Sequence, residues 1–263
     1  MNLELKGKNA LVCASSAGIG KGIAKNLISE GVNVSILGRD AGRLEKAKKE
    51  LGTIGDVKII ATICNLASEN DIAHVFKKTI SKLGRIDILV NNQGGPTPGT
   101  FEVINAQQTQ DAININLVSV LRLSRLCLEH MKSNKWGRII NILSISAKEP
   151  IPGLYLSNLV RPAVLGFAKT VSLEYAPHGI TINSLLPSAV LSDRTNYFVQ
   201  QDADKNKISF KDALKNISLS LPMKYIATPE EFARLSTFLC SPLASYITGT
   251  AIAVDGGTSK SLY

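Results

Sequence analysis

The chain has little with which to build an exported or metal-stapled protein. Its 263 residues include only four cysteines, Cys13, Cys64, Cys127 and Cys240, far apart and without a CxxC pair, and three histidines that do not cluster. Neither a disulfide framework nor a zinc site is expected, and the cysteines read as reduced, mostly buried thiols. No apolar run approaches the roughly 18 residues of a membrane span, and the opening MNLELKGKNALV lacks a basic region followed by a long apolar stretch. The expectation is a soluble, unexported, cytoplasmic protein. A Pro/Gly/Ser-rich linker, an internal repeat and a low-complexity tract are all missing, so a single domain over 1–263 is expected. Negative charge is the scarcer sign: 21 acidic residues against 30 lysines and arginines leave a formal charge of +9, which suits an anionic ligand. Nucleic acid is disfavoured as that ligand, because the positive charge is dispersed. Lys46, Lys48 and Lys49 stand with Glu45 and Glu50, and Lys205, Lys207, Lys211 and Lys215 alternate with Asp202, Asp204 and Asp212, as on solvated helix faces.

What is present begins with residues 9–28, NALVCASSAGIGKGIAKNLI, a short apolar run that breaks into small residues and resumes at helical spacing. This is a strand, a tight turn and a helix. Ala14, Gly18 and Gly20 keep the turn nearly free of side chains, so that a polyanion can approach the N–H groups at the helix start, where the dipole also favours negative charge; Ser16 and Ile19 of the same turn are expected at the cofactor too. Small residues also let a helix pack closely on a sheet, so the turn alone does not decide between a pyrophosphate seat and simple packing.

Beyond it, 32–37 reads as a second strand, followed by Gly38, Arg39 and Asp40. In a dinucleotide fold this place faces the adenosine ribose, where an acidic residue marks NAD. Here Arg39 can fork onto a 2′-phosphate, which favours NADP; a surface arginine at a helix start is the alternative. A charged helix over 40–51 and a strand over 57–62 lead to Cys64, Asn65 and Leu66; Asn65 can hold an adenine edge or cap the helix over 69–83. A buried strand over 85–90 then closes on Asn91, Asn92, Gln93, Gly94 and Gly95, of which Asn91, Gln93 and Gly94 are expected at the cofactor. Strands alternating with helices of this length imply an α/β fold with a parallel sheet and ligands at the carboxyl ends of its strands.

Five features in order and spacing resemble the short-chain dehydrogenase/reductase family over essentially the whole chain: CASSAGIG for the family's TGxxxGxG, NNQG for its NNAG, GRIINILS at 137–144, APHGITINSLLPS at 176–188, and the closing series Pro229-Glu230-Glu231, Thr248-Gly249 and Val254-Asp255-Gly256-Gly257. The resemblance implies a single-domain, Rossmann-like, doubly wound parallel sheet of about seven strands with helices on both faces. It implies an oxidoreductase that passes hydride between NADP and a small carbonyl or alcohol substrate, and a homotetramer. It places Asn116 in a kinked helix, fixing a water in a proton relay, and Ser144 on the substrate carbonyl. Pro187, Val190 and Ser192 fall in the family's PGxVxT, the last replacing the threonine that holds the nicotinamide carboxamide.

The chain departs from the family where the proton should be handled. Thirteen residues after Ser144 the family has tyrosine and four further on lysine; this chain has Ser157 and Arg161, and no YxxxK occurs anywhere. An aliphatic hydroxyl is far less acidic than a phenol, and an arginine does not deprotonate, although it can still donate to the nicotinamide ribose. Pro162 suggests a helix beginning near Asn158, leaving Tyr155 in the preceding loop, from where its hydroxyl can swing into the site. The polar, irregular stretch over 193–222 is expected to be a substrate lid, with Tyr197, Phe198 and Leu214 either as its apolar underside or as the residues that fasten it to the core. Two readings follow from these residues: an NADP-dependent oxidoreductase using Asn116, Ser144, Ser157, Arg161 and Tyr155, or a catalytically silent nucleotide-binding protein on the same fold.

Overall fold

The first apolar run forms strand β1 (Asn9–Val12), and alternate residues go to opposite faces, Ala10 and Val12 into one core and Leu11 with the following Cys13 into the other. In the computed structural model, which describes residues 2–262, β1 lies inside a seven-stranded sheet, next to its central strand. The chain continues through α1 (Gly18–Ser29), β2 (Asn33–Gly38), α2 (Ala41–Leu51), β3 (Ile59–Ile63), α3 (Glu69–Leu83) and β4 (Ile88–Asn92). The second half runs α4 (Ala106–Ile113), α5 (Ser119–Ser133), β5 (Gly137–Ile142), α6 (Tyr155–Tyr175), β6 (Ile180–Pro187), α7 (Asp193–Asn206), α8 (Phe210–Ser220), α9 (Pro229–Leu239) and β7 (Ala251–Val254). Every pairing is parallel, in the order β3-β2-β1-β4-β5-β6-β7.

Helices cover both faces. Ile23, Leu27 and Ile28 of α1 and Phe232 and Leu239 of α9 close one core over Val12, Ile36, Val90 and Ile140. Val75 of α3, Leu123, Cys127 and Met131 of α5 and Ala168 of α6 close the other over Leu11, Leu37, Leu89 and Ile139. The chain runs outward from β1 to β3 and then restarts at β4 on the other side of β1. Loops at the carboxyl ends of β1 and β4 therefore diverge and leave a crevice.

Two sequence expectations are corrected. Residues 193–222 are not irregular: α7 and α8 form a helical pair, each capped by a serine, Ser192 accepting from the Thr195 N–H and Ser209 from the Asp212 N–H, and joined through Val199, Ala203 and Ala213. The other concerns the helix carrying Ser157, which begins at Tyr155, ahead of the expected start near Asn158, so that Tyr155 lies on the helix and not in the preceding loop. The reason is anchoring at its start. Asn158 clamps the preceding loop twice, Oδ1 accepting from the Ile151 N–H at 3.0 Å and Nδ2 donating to the Ile151 carbonyl at 2.9 Å, and the Tyr155 N–H donates to Gly99 at 3.1 Å. Among the described residues no helix is long and apolar enough to cross a membrane.

Candidate active site

A cleft of about 1070 Å³ runs along the carboxyl ends of the strands. Its floor is the turn between β1 and α1, where Ala14, Ser16, Gly18 and Ile19 line the wall. Ala14 and Gly18 both adopt positive φ, 42° and 54°. Gly20 lies buried behind them: a Cβ there would stand 2.5 Å from the Ala14 carbonyl oxygen and 2.7 Å from the Asn92 side-chain nitrogen, so only glycine admits that approach. Ala17 caps α1 without a side-chain hydrogen bond, leaving the first N–H groups of the helix to an anion.

The second of the two adjacent asparagines faces this turn. Asn92 donates from Nδ2 to the Cys13 and Ala14 carbonyls at 3.2 and 3.3 Å and lines the cleft. Asn91, the expected cofactor contact, points the other way and is corrected to a structural role: its Nδ2 donates to Ser124 of α5 at 3.1 Å and to Asn141 of β5 at 2.9 Å, fully buried.

At the end of β2, Gly38 and Arg39 line the mouth; Arg39 is exposed and has no ion pair among the described residues, whereas Arg43 pairs with Asp193 of α7. At the end of β3, Cys64, Asn65 and Leu66 line the wall. Asn65 does not cap α3. Ser68 does, accepting from the Asp71 N–H, while Asn65 accepts from the Ala67 N–H and stays on the cleft. All four cysteines are free and buried, and burial pushes the Cys13 and Cys240 thiols up to about 12 and Cys64 to about 11.

Gln93 and Gly94 line the cleft past β4, and the Gly94 carbonyl accepts from Asn116 Nδ2 at 2.8 Å. Asn116 sits on a π-helical turn, Asn114–Val118, that joins α4 to α5, which is the interruption expected of it. On the far side of the cleft, Ser144 opens a single 3-10 turn, Ile145–Ala147, its Oγ accepting from the Ser146 N–H at 3.1 Å. The Ser146 and Ser157 hydroxyls are 2.8 Å apart. One helical turn beyond Ser157, Arg161 is buried, donates from Nη1 to the Ile142 carbonyl at 3.1 Å, and has an unpartnered Nε. Burial, and then the charge of Arg194, lower its guanidinium from the ordinary arginine value to about 10, so it stays cationic at neutral pH.

Tyr155 does not line the cleft, and its expected catalytic role is corrected. Its ring lies edge-on to Phe101 at 5.4 Å and packs with Ala112, Leu156 and Val160. Past β6, Pro187, Val190 and Ser192 line the cleft, followed by Arg194, Phe198, Val199 and Ile217 from the helical pair. Of the expected underside only Phe198 is there; Tyr197 is 46 % exposed and Leu214 fastens α7 to α8. Sequence reasoning missed Asn92 and Arg194. Strand alternation could have flagged the first; nothing in the local pattern marks the second.

A family model described as Enoyl-(Acyl carrier protein) reductase matches residues 13–259. The NADPH-dependent reductase BacG of Bacillus subtilis (strain 168) is 34% identical over 256 residues, 97% of this chain and 99% of that protein. The 3-oxoacyl-[acyl-carrier-protein] reductase FabG of Aquifex aeolicus (strain VF5) is 32% identical over 257 residues, covering 98% and 99%. The crystal structure of L-sorbose reductase from Gluconobacter frateurii, complexed with NADPH and L-sorbose, superposes with a TM-score of 0.95 at 29% identity over 100% of both chains.

Proposed function

Since the chain belongs to the short-chain dehydrogenase/reductase family, we propose that the cleft passes hydride between the nicotinamide of NADP and a carbonyl or alcohol carbon. The protein is an NADP-dependent oxidoreductase. The observation that carries the residue assignment is convergence: Ser144, Ser157 and Arg161 line the same cleft as the small-residue turn and Arg39, while Tyr155 faces away from it.

The residues present fit the dinucleotide. The uncapped start of α1 and the strand-turn backbone at Ala14–Ile19 receive the pyrophosphate, Arg39 the 2′-phosphate, and Asn65 with Leu66 the adenine side. Asn92 holds the turn in shape through two carbonyls. Arg161, with Nε unpartnered, donates to the nicotinamide ribose, and Ser192 and Val190 flank the carboxamide. When bound, NADP supplies the carbon that gives or takes hydride.

Ser144 already accepts from the Ser146 N–H, so its own hydrogen is free to donate to a substrate carbonyl oxygen. Arg161 places a fixed positive charge beside the oxygen on which negative charge develops, in a buried setting where such stabilisation is strong. Ser157 does not act as a lone acid. It is tied to Ser146 and relays a proton that water must resupply, with Asn116, held through Gly94, ordering that water. The test follows reduced-nicotinamide absorbance against a panel of ketones, aldehydes and alcohols. Turnover that falls in Ser144→Ala, with NADPH affinity unchanged, supports the assignment; a chain that binds NADPH and consumes it with no member of the panel refutes it.

In the same reading α7 and α8 form the lid, supported by Arg194 and Phe198 reaching into the cleft, and 1–263 is one domain. A homotetramer is proposed from the apolar outer face of α6, where Leu159 and Leu173 are 43% and 67% exposed. Residence in the cytoplasm is supported by four free, buried thiols.

A further inference from the structure

Two guanidinium groups line the cleft without an ion pair among the described residues. Arg161 is 4% exposed, with one hydrogen bond to a main-chain carbonyl and an unpartnered Nε. Arg194 reaches in from α7, its Nη1 3.2 Å from the Gly95 carbonyl oxygen and its guanidinium 4.8 Å from the centre of the Phe198 ring. Neither forms an ion pair among the described residues, in contrast to Arg43, whose charge is answered by Asp193. Gln93, two residues before the carbonyl that Arg194 holds, is also 4% exposed, lines the cleft, and has no partner for either amide atom.

Buried charges are ordinarily paired and buried amides ordinarily bonded, because desolvation without a partner is costly. Here a charge and an amide are both left open, on the wall of one cleft. The cofactor does not answer them all. Its phosphates are drawn to the turn at Ala14–Ile19 and to Arg39, and a ribose hydroxyl on Arg161 is neutral. A second anion is missing.

We propose that the substrate is a carbonyl compound bearing a carboxylate, which the Arg194 guanidinium receives, with the Gln93 amide donating beside it and Arg161 adding to the field. The planar fork of arginine matches a carboxylate in two parallel hydrogen bonds, and the stacking on Phe198 keeps the fork oriented while the substrate is absent. A phosphate shares this chemistry. The carboxylate is preferred because its two oxygens match the two parallel bonds of one guanidinium fork, and the phosphate is kept as a separate arm of the test. This inference rests on the oxidoreductase reading for the carbonyl and on the cationic wall for the acid.

The experiment measures binding to the full chain loaded with NADP⁺, using 2-oxo-4-phenylbutanoate and 4-oxo-4-phenylbutanoate, each against its own primary amide, and hydroxyacetone phosphate against hydroxyacetone. At least one oxo acid is expected to bind about tenfold or more tightly than its amide. Arg194→Gln should abolish that preference while leaving the affinity for the amide and for NADP⁺ unchanged, and Arg194→Lys should retain part of it. The inference is overturned if no acid outbinds its amide, if the preference survives Arg194→Gln, or if only the phosphate arm shows one. Turnover separates the two readings: NADPH consumed with amides but not acids sinks the anion seat alone, and an acid preference without any NADPH consumption sinks the redox reading alone.

Discussion

The hydroxyls of Ser146 and Ser157 lie 2.8 Å apart and bolt the start of α6 to the turn that leaves β5. Ser157 is thereby fixed one helical turn from Arg161 and close to Ser144, with its Oγ hydrogen-bonded to a second serine in place of the phenol that the family uses. Ser157→Ala should lower kcat about tenfold to a hundredfold with NADPH affinity unchanged, the scale of a lost proton-handling contact. Tyr155→Phe should change kcat by no more than about twofold, since the ring is turned toward Phe101. Steady-state kinetics of the two variants decide between the residues, and a larger loss in the tyrosine variant would reverse the assignment.

Arg39 stands at the end of β2 with no ion pair among the described residues. Arg39→Ala should weaken NADPH by about tenfold or more and leave NADH little changed, because only the 2′-phosphate loses a charge-assisted bond. Fluorescence titration with both cofactors measures this. Equal losses for the two would show that the arginine serves the shared part of the dinucleotide.

Arg161 carries a buried charge whose proton is held less tightly in the folded chain than in the unfolded one, its value being lowered to about 10. The sign follows: the charge costs stability throughout the neutral range, and the cost begins to fall only as pH rises above about 10, vanishing only above the ordinary arginine value. Arg161→Met should therefore stabilise the cofactor-free chain by about 1–3 kcal/mol, seen as a melting temperature higher by a few degrees, while turnover falls about a hundredfold. A destabilised variant would mean that the bond to the Ile142 carbonyl outweighs the desolvation.

At the start of α9, Glu231 accepts from the Thr228 N–H at 2.8 Å and from its hydroxyl at 3.0 Å, and these bonds hold its carboxyl below the usual carboxylate value. Because the folded value is the lower one, the stabilisation is complete above the unfolded value of about 4.3 and is lost as pH falls through the folded value. Urea midpoints at about pH 7 and about pH 3 should differ less in Glu231→Gln, which keeps the capping geometry without the titrating group.

The strand runs and the small-residue turn were legible in the sequence because hydrophobic period determines them, whereas Asn116, Ser144, Ser157 and Arg161 were singled out only through the family resemblance, and all four line the cleft. Orientation was less so. Asn91 and Asn92 are neighbours of the same type, and which faces the cleft is set by the register of β4 on β5, where Asn91 meets Asn141. Pro162 argued for a late helix start, but the Asn158 clamp on Ile151 lies in a loop that only the tertiary structure brings near. Polar composition hid α7 and α8, since a short helical pair that buries little apolar surface carries a weak periodic signal.

The interior position of β1 has a consequence for synthesis. Emerging from the ribosome, the strand that will lie mid-sheet comes first, and β2 and β3 can add to one side of it as soon as residue 63 is free. The other side stays bare until β4 arrives at Ile88, because no pairing in the sheet is a hairpin and each requires a helix-long crossover. Strands built this way close late and slowly. Until then the N–H and C=O groups on that edge of β1, from Ala10 to Val12, have no strand to pair with and are open to the edge of another chain.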